Sequence, residues 1–308
     1  MGFYHQFWQL TVDGLSTGSL YAVIALSYTL VYGVLQLINF AHSEVFMFGG
    51  FAGIFVVRGL APGGASGWTS VGLIAFGLIC GAVAGALAAF TLERTAYAPL
   101  RRRGAPKLAY LISAIGASYF AFNLAGKEFG RQSVNGPNLY DNQTVLFHVF
   151  SAKIRIQTVL IFGVAIAMLI ILDRLVNATR LGKAIRAVAQ DSDTASLMGV
   201  NVNRVIVLTF IVGGLLAGAG GFLYAQVFNA SYTMGFIPGI KAFTAAVLGG
   251  IGNVRGAMLG GLLLGVVEAY GGDLLGASYI DVTAFLVLVL VLLFRPSGLL
   301  GERLGRAA

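Results

Sequence analysis

The sequence predicts an all-α membrane protein, a polytopic helical bundle with about eight or nine transmembrane segments. Of its 308 residues, 57% are hydrophobic and only 10% are charged, against roughly 25% charged residues in soluble domains. So few charges cannot coat a water-facing surface of this size. The 43 glycines also fit membrane helices, whose backbones approach closely because lipid provides no hydrophobic drive for their association.

Nine apolar segments approach the length of about 20 residues that a membrane crossing requires. They cover residues 10–34, 36–57, 69–92, 108–126, 156–176, 204–228, 239–253, 256–272 and 278–294. Polar residues interrupt the second segment, and the seventh is short and rich in glycine. We expect either of these two to be a re-entrant or broken helix, which is tolerated where backbone is buried in protein or lines a cavity.

Basic residues in the linkers predict the orientation. With nine segments, 14 of the 20 Lys and Arg residues fall on one side: Arg94, Arg101, Arg102, Arg103, Lys107, Arg174, Arg180, Lys183, Arg186, Arg204, Arg255, Arg295, Arg303 and Arg306. The excess of basic residues marks the cytoplasmic side. The N-terminus is therefore expected outside and the C-terminus in the cytoplasm. The same rule explains the net charge of +8 without a nucleic-acid partner.

Pairs of small residues four positions apart recur inside the predicted spans. These pairs are Gly81 with Gly85, Gly214 with Gly218, Gly256 with Gly260, and Gly261 with Gly265. Such pairs favour close helix–helix crossings in membranes. They predict where helices pack and carry no chemistry.

Polar side chains inside apolar segments mark candidate functional residues, because they are costly in a membrane. Asn39, His42 and Glu44 interrupt the second segment, where they either stabilise a broken helix or line a transport path. Lys241 either snorkels to the outer boundary or lies in a pore. Glu268 is expected near the outer end of its helix, in contact with solvent. A zinc site that uses these groups is disfavoured, since no nearby Cys or His-x-x-x-His spacing accompanies them.

Motifs for catalysis are missing from the sequence. No Gly-x-x-x-x-Gly-Lys-Ser/Thr phosphate loop occurs, so the chain is not expected to hydrolyse ATP itself. Paired glycosidase carboxylates, a nucleophilic serine elbow and the spaced arginines of a voltage sensor are missing too. The sequence therefore predicts a protein that is not an enzyme.

A linker at about 178–203 is the most informative polar part of the chain. Residues 183–198 predict one short amphipathic helix, with Ile185, Val188, Ala189, Ala195 and Met198 as its apolar set. Such a helix lies on lipid headgroups or docks in a groove of a partner. The run Asp193-Thr-Ala-Ser-Leu-Met-Gly199 favours docking, because it resembles the Glu-Ala-Ala-x-x-x-Gly loop of bacterial ABC importer permeases. Gly199 is expected to end the helix.

Several longer motifs, in order, resemble one family over residues 14–301. They are Gly14-Leu-Ser-Thr-Gly-Ser-Leu-Tyr-Ala22, Tyr28-Thr-Leu-Val-Tyr-Gly33, Leu37-Ile-Asn-Phe-Ala-His-Ser-Glu44, Arg186-Ala-Val-Ala-Gln-Asp191, Ala195-Ser-Leu-Met-Gly199, Lys241-Ala-Phe-Thr-Ala-Ala-Val-Leu-Gly-Gly-Ile-Gly252 and Pro296-Ser-Gly-Leu-Leu-Gly301. The chain is similar to permease subunits of bacterial branched-chain amino-acid ABC importers of the LivH type. Ser43 departs from the glycine usual in that family.

The resemblance implies an ABC importer permease architecture, with residues 1–308 as a single transmembrane permease domain in the bacterial plasma membrane. It implies pairing with a second related permease, two ATP-binding subunits that hold ATP and Mg²⁺, and an extracytoplasmic binding protein, while the chain itself carries no cofactor. The ATPase-coupling residues would be Arg186, Ala187, Asp191, Ala195, Ser196, Leu197 and Gly199. The translocation path would use Asn39, His42 and Glu44, with Lys241, Phe243 and Thr244 on the opposite wall.

Two other functions stay open at this point. A urea or short-amide ABC importer permease would share the architecture and differ in cargo, which the binding protein mostly selects. An ATP-independent secondary carrier would need ion-coupling carboxylates deep in the spans, for which Glu44 is the main candidate. The coupling-type linker argues against a secondary carrier.

Overall fold

The computed structural model of the protein describes residues 2–37, 39–139, 145–149, 152–295 and 297–301. Its α-helices are α1 (Gly2–Leu35), α2 (His42–Leu60), α3 (Trp68–Leu92), α4 (Ala98–Arg102), α5 (Lys107–Glu128), α6 (Ile156–Ala178), α7 (Arg180–Gln190), α8 (Ser192–Leu197), α9 (Val202–Phe228), α10 (Phe236–Gly249), α11 (Val254–Leu275) and α12 (Ile280–Phe294). A π-helical turn, Glu93–Tyr97, joins α3 to α4, and a 3₁₀ turn, Ala277–Tyr279, precedes α12. Two short antiparallel strands, β1 (Val145–Val149) and β2 (Ala152–Arg155), precede α6.

Eight helical stretches are long and apolar enough to cross a membrane, which confirms the predicted polytopic bundle. They are Gln6–Leu35, His42–Leu60, Trp68–Arg102, Lys107–Glu128, Ile156–Ala178, Val202–Phe228, Val254–Leu275 and Ala277–Phe294. The segment at 36–57 was expected to be a re-entrant or broken helix. Residues 36, 37 and 39–41, which include Asn39, are not helical, and α2 then runs for 19 residues from His42. Only α10, with 14 residues, keeps the short length that the sequence predicted.

The chain forms two compact units, and each is built from separate stretches of sequence. One unit comprises Met1–Thr29, Asp141–Asp173 and Lys241–Ala308, and the other comprises Leu30–Tyr140 and Arg174–Ile240. We call them the terminal unit and the central unit. The expectation of a single domain over residues 1–308 stays a prediction.

The core of the central unit is the crossing of α2, α3 and α9 at glycines. A β-carbon on Gly81 would lie 2.9 Å from the carbonyl oxygen of Gly218, and one on Gly85 would lie 2.7 Å from its Cα. No side chain fits between backbones this close, so these positions must be glycine for the helices to meet. The predicted pairs Gly81 with Gly85 and Gly214 with Gly218 are therefore confirmed as packing sites.

The core of the terminal unit is a second glycine crossing, between α1 and α11. A β-carbon on Gly14 would lie 2.8 Å from Cα of Val266, and one on Gly18 would lie 2.8 Å from the carbonyl oxygen of Gly261. The predicted pair Gly261 with Gly265 thus packs against Gly14 and Gly18 of α1, which the sequence analysis had not predicted to be packing glycines. At both crossings the facing residues are glycines, so the helices are held together by close contact between their backbones.

The chain after α12 returns to close the end of α10. The backbone N–H of Leu299 donates to the carbonyl oxygen of Leu248 at 2.8 Å, and that of Leu300 donates to Gly249 at 2.9 Å. Asn253 donates from its side-chain amide to the carbonyl of Leu300 at 2.9 Å. Carbonyls at a helix C-terminus have no partner within the helix, so this segment satisfies them inside an apolar protein.

Some residues of the predicted features lie outside the residues that the structure describes. These are Ile38 in the second motif, Pro296 in the last motif, and Arg303 and Arg306 among the basic residues used for orientation.

Candidate functional site

The linker between α6 and α9 forms two short helices attached to the ends of both spans. Thr179 caps α7 by accepting a hydrogen bond from the N–H of Gly182 at 3.0 Å. The Arg186 guanidinium donates to the carbonyl of Val176 and, at 3.2 Å, to the side chain of Asn177. Cations and donors at a helix C-terminus stabilise its free carbonyls. Arg186 therefore fixes α7 against the last turn of α6.

Asp191 breaks the single amphipathic helix that the sequence predicted over residues 183–198. Its carboxylate accepts hydrogen bonds from the N–H of Asp193 at 2.9 Å and from the hydroxyl of Thr194 at 2.5 Å. These bonds from Thr194 and Asp193 hold the pKa of Asp191 below its usual value. An aspartate that caps a new helix competes with continuation of the old one, so α7 ends and α8 begins there.

Gly199 ends α8, as the sequence predicted. Its φ is +86°, and the N–H of Val200 reaches back to the carbonyl of Ala195 at 3.0 Å. A left-handed residue with such a return bond is a common helix ending and favours glycine. Asn201 then accepts from the N–H of Arg204 at 3.0 Å and starts α9, so α8 is joined to the sixth span by four residues, 198–201.

The structure separates the predicted coupling residues into buried and exposed groups. Ala195 is buried within the linker, whereas Leu197 is 88% exposed. Met198, which the sequence analysis placed in the apolar set of the helix, lies just after the end of α8 and is 81% exposed. Ser196 is exposed and Ala187 is half-buried. The apolar side chains available to a partner are therefore Leu197 and Met198, beside the turn at Gly199.

The polar residues at the start of α2 are buried in the central unit, where they contact α5 and the π-helical turn. Asn39 accepts a hydrogen bond from the hydroxyl of Tyr97 at 2.8 Å. Glu44 accepts from Ser118 at 2.9 Å through Oε1. His42, the first residue of α2, has no exposed surface. The three candidate path residues thus lie on one short stretch, and each is enclosed by protein.

Ser43 occupies the position where the resembling family usually carries glycine. It lies within α2, and its φ is not among the positive values of the described backbone. Its hydroxyl donates to the carbonyl of Phe40 at 2.7 Å. Serine is therefore accommodated here without backbone strain, and its hydroxyl satisfies a carbonyl just before the helix.

Lys241 belongs to a buried ionic cluster in the terminal unit. Its ammonium lies 3.1 Å from Oε1 of Glu268 and 2.7 Å from Oδ1 of Asp281. Tyr21 donates its hydroxyl to the other oxygen of Glu268 at 2.9 Å. The lysine and the glutamate are 5% and 4% exposed. This ammonium is held by protein carboxylates and does not snorkel.

The placement of Glu268 corrects the expectation that it meets solvent at a helix end. It lies inside α11, whose apolar sequence should have raised the question of a partner, because a carboxylate in a span usually faces another polar group. Local sequence does not identify Tyr21, Lys241 or Asp281 as that partner, since all three lie on other helices. Phe243 and Thr244 follow on α10, with Thr244 fully buried.

The candidate path residues fall in different units. Asn39, His42 and Glu44 belong to the central unit, and Lys241, Phe243 and Thr244 belong to the terminal unit. Among the residues that the structure describes, no group of three or more His, Cys, Asp or Glu side chains is placed to hold a metal ion. The arrangement provides buried polar groups that connect neighbouring helices within each unit.

Comparison with known proteins places these features in a family. The model of the family described as the permease component of branched-chain amino acid transport systems matches residues 10–294. The high-affinity branched-chain amino acid permease LivH of Escherichia coli K12 is 41% identical over 300 residues, 96% of each chain. BraD of Pseudomonas aeruginosa is 42% identical over 302 residues, 97% of each chain.

The similarity extends to archaea at lower identity. A probable branched-chain amino acid permease, LivH of Methanocaldococcus jannaschii, is 24% identical over 297 residues, covering 92% of this chain and 89% of the archaeal one. The matches run through all eight candidate spans and the linker with α7 and α8. The chain therefore belongs to the family of permease components of branched-chain amino acid transport systems.

Proposed function

We propose that this protein is the membrane permease subunit of an ATP-driven importer that moves branched-chain amino acids across the bacterial plasma membrane. The observation that carries the proposal is the 41% identity to LivH over 96% of both chains. Identity of this extent includes the spans and the linker, which are the parts that transport requires. The names of these relatives specify branched-chain amino acids and favour that cargo over urea or short amides.

The proposed partners are two ATP-binding subunits, a second related permease, an extracytoplasmic binding protein and membrane lipid. ATP and Mg²⁺ would be bound by the ATP-binding subunits, which dock on α8. The support for this site is the pair of exposed apolar side chains, Leu197 and Met198, on an otherwise polar segment. An exposed apolar pair beside a rigid turn suits a groove on a partner.

The attachments of α7 and α8 supply a route for the coupling. Arg186 ties α7 to the end of α6, and the cap at Asn201 joins α8 to the start of α9. A displacement of α8 by a partner is thereby passed to two spans and is not absorbed in a flexible loop. Closure of the ATP-binding subunits would in this way change access to the path between the two sides of the membrane.

The proposed path residues are Asn39, His42 and Glu44 of one unit and Lys241, Phe243 and Thr244 of the other. The bonds of Asn39 to Tyr97 and of Glu44 to Ser118, and the ion pairs of Lys241, support a role in holding the helices that line the path. Such groups are expensive in a membrane unless they organise neighbouring helices or a cavity. An ATP-independent carrier would need a carboxylate in the spans, such as Glu44, to exchange an ion on every cycle.

The proposed orientation has the N-terminus outside and the C-terminus in the cytoplasm. Eight crossings alone would leave both ends on one side, so this orientation requires α10 and the residues before it to complete a ninth passage. Labelling single cysteines from each side tests it, with Cys80 replaced by alanine. Lys107→Cys should react only from the cytoplasm and Ser133→Cys only from outside; the reverse pattern excludes the orientation.

The decisive test is transport by the purified assembly. We would purify the chain in mild detergent with the proteins that remain bound, reconstitute it into vesicles, and measure uptake of labelled leucine with and without ATP. Two ATP-binding subunits, a second permease and ATP-dependent uptake are expected. Uptake by this chain alone without ATP would reject the proposal in favour of a secondary carrier.

A matched pair of variants tests the docking surface. Leu197→Glu should weaken retention of the ATP-binding subunits roughly tenfold or more, as for an anchor side chain at an interface. Leu60→Glu is the control, because Leu60 is also exposed, at 61%, and ends α2. If both variants retained the ATP-binding subunits equally, α8 would not be the docking element.

A further inference from the structure

A basic cavity lies in the central unit where the third and sixth spans end. It has a volume of about 260 Å³, and its lining includes Arg94, Arg101, Arg102, Arg204, Val207 and Leu208. Pockets for drug-sized ligands are about 300–1,000 Å³, so this cavity suits a small charged group. Arg94, Arg101 and Arg102 lie at the C-terminal end of the span Trp68–Arg102, and Arg204 lies near the start of the span Val202–Phe228. The cavity is therefore placed at the boundary between lipid and water.

Arg101 is held in place at the centre of the lining. Its Nη2 donates to Oε1 of Glu93 at 2.7 Å, and its Nε donates to Oδ1 of Asn203 at 2.7 Å. Glu93 is fully buried, so the position of the guanidinium is fixed by protein. The remaining nitrogen, Nη1, is buried and has no hydrogen-bond partner among the residues that the structure describes. A buried donor without a partner is costly, and an acceptor that entered the cavity beside Arg101 would satisfy it.

The charges of the lining are unbalanced. Four arginines and no carboxylate line the cavity. Of the four, Arg101 is bonded to Glu93 behind the lining and Arg94 lies 3.8 Å from it, so Arg102 and Arg204 have no ion-pair partner among the described residues. The first N–H groups of α9 add positive potential beside Arg204. Arginine binds phosphate through parallel N–H donors more readily than any other side chain. The site is therefore selective for an anion with several oxygens.

The apolar part of the lining indicates where that anion comes from. Val207 and Leu208 lie one turn deeper in α9 than Arg204, on the side of the membrane interior. Arg94 lies over the ring of Phe90, with its guanidinium carbon 5.3 Å from the ring centre, and Phe90 is 37% exposed on a lipid-spanning helix. A headgroup with attached acyl chains satisfies both the guanidiniums and this apolar floor, whereas a free anion would satisfy only the former.

We propose that this cavity binds the headgroup phosphate of an anionic phospholipid, such as phosphatidylglycerol, and so clamps the end of the third span to the start of the sixth. Basic pockets between transmembrane helices are suited to anionic headgroups. The proposal concerns the central unit only and holds whatever cargo the protein carries.

Native mass spectrometry of the full chain, with the partners that stay bound in mild detergent, tests the proposal. The Arg102→Gln, Arg204→Gln double variant keeps the Arg101–Glu93 pair, so its fold should persist as a single peak on size exclusion. Each juxtamembrane arginine changes lipid binding by about fivefold, so bound phosphatidylglycerol should fall roughly 30-fold. The control is Arg103→Gln, Arg180→Gln, which removes two exposed arginines outside the cavity and should bind as the wild type does.

Three results would overturn the proposal. The first is equal binding of phosphatidylglycerol and phosphatidylethanolamine by the wild type. The second is displacement of phosphatidylglycerol from the wild type by inorganic phosphate at equal concentration, which would make the site one for a soluble anion. The third is a double variant that keeps phosphatidylglycerol and loses the ATP-binding subunits, which would make the cavity a protein-docking surface.

Discussion

Removal of the Lys241 ammonium provides the sharpest test of how the terminal unit is held together. Lys241→Met keeps the length of the side chain and deletes the charge that lies 3.1 Å from Glu268. Both residues are at most 5% exposed, so Glu268 would be left as a buried anion. Breaking a buried ion pair from one side costs about 3–5 kcal/mol.

Tyr21 and Asp281, the other members of the cluster, determine how much of this stability Lys241→Met should lose. Tyr21 still donates to Glu268 in the variant, and Glu268 can accept a proton, so we expect the lower limit, about 3 kcal/mol. Asp281 is 49% exposed as a side chain, and its bond to Lys241 is screened by solvent. Asp281→Asn should therefore cost only about 0–1 kcal/mol.

A second substitution should restore most of the loss. Adding Glu268→Gln to Lys241→Met removes the unpaired anion and leaves an oxygen to accept from Tyr21. The double variant should recover about 2 kcal/mol of the loss, a coupling of the size that contacting charges show. The midpoint of unfolding in sodium dodecyl sulfate, followed by circular dichroism, ranks the three variants against the wild type.

One outcome would refute the structural argument. If Lys241→Met unfolded at the same midpoint as Asp281→Asn, the ion pair would not stabilise the terminal unit. Loss of leucine uptake at unchanged stability would then assign Lys241 to the path itself. Lower stability, with uptake preserved at low temperature, would assign it to packing.

Three further predictions concern the central unit. Gly218→Ala should destabilise it by about 1–3 kcal/mol, because the new β-carbon would lie 2.9 Å from Cα of Gly85. The control is Gly72→Ala, which has open space around the new β-carbon and should be neutral or stabilising in the same sodium dodecyl sulfate unfolding assay. Gly199→Val forces a β-branched residue to adopt φ +86°. If α8 is the coupling element, ATP hydrolysis by the assembly should persist while leucine uptake falls. Normal leucine uptake would reject that role for α8. Asp191→Ala should remove the cap of α8, seen as faster amide exchange at Asp193 and Thr194, whereas Asp191→Asn should retain part of it. The lowered pKa of Asp191 means that this protection is full above the unfolded pKa of about 3.9 and is lost as pH falls through the folded value; protection that grew on acidification would contradict it.

The linker that contains α7 and α8 shows how the predicted and the observed structure differ in detail. Its polar residues stay in water and Gly199 ends the helix, as the local sequence indicated. The break at Asp191 was missed because amphipathic spacing continues across it, and only the carboxylate bonds to Asp193 and Thr194 stop the first helix. As a result Leu197 and Met198 turn outward and Ala195 turns inward.

The sequence by itself determined the spans, their glycine crossings and the family. Lipid imposes these features through local composition: each span must be apolar over about 20 residues, and each close crossing needs small residues at fixed spacing. Both requirements can be checked within a single segment, without knowledge of its neighbours. That is why Gly81, Gly85, Gly214 and Gly218 were identified before the fold was known.

Only the tertiary structure decided which polar groups meet. Lys241 forms ion pairs with Glu268 and Asp281 on later helices. Asn39 accepts a hydrogen bond from Tyr97, and Arg101 donates to Glu93 and Asn203. A buried charge requires some partner, and that requirement is visible in the sequence. The choice of partner depends on which helices pack together and at what rotation, which is set by contacts along their whole length and not by the residues around the charge.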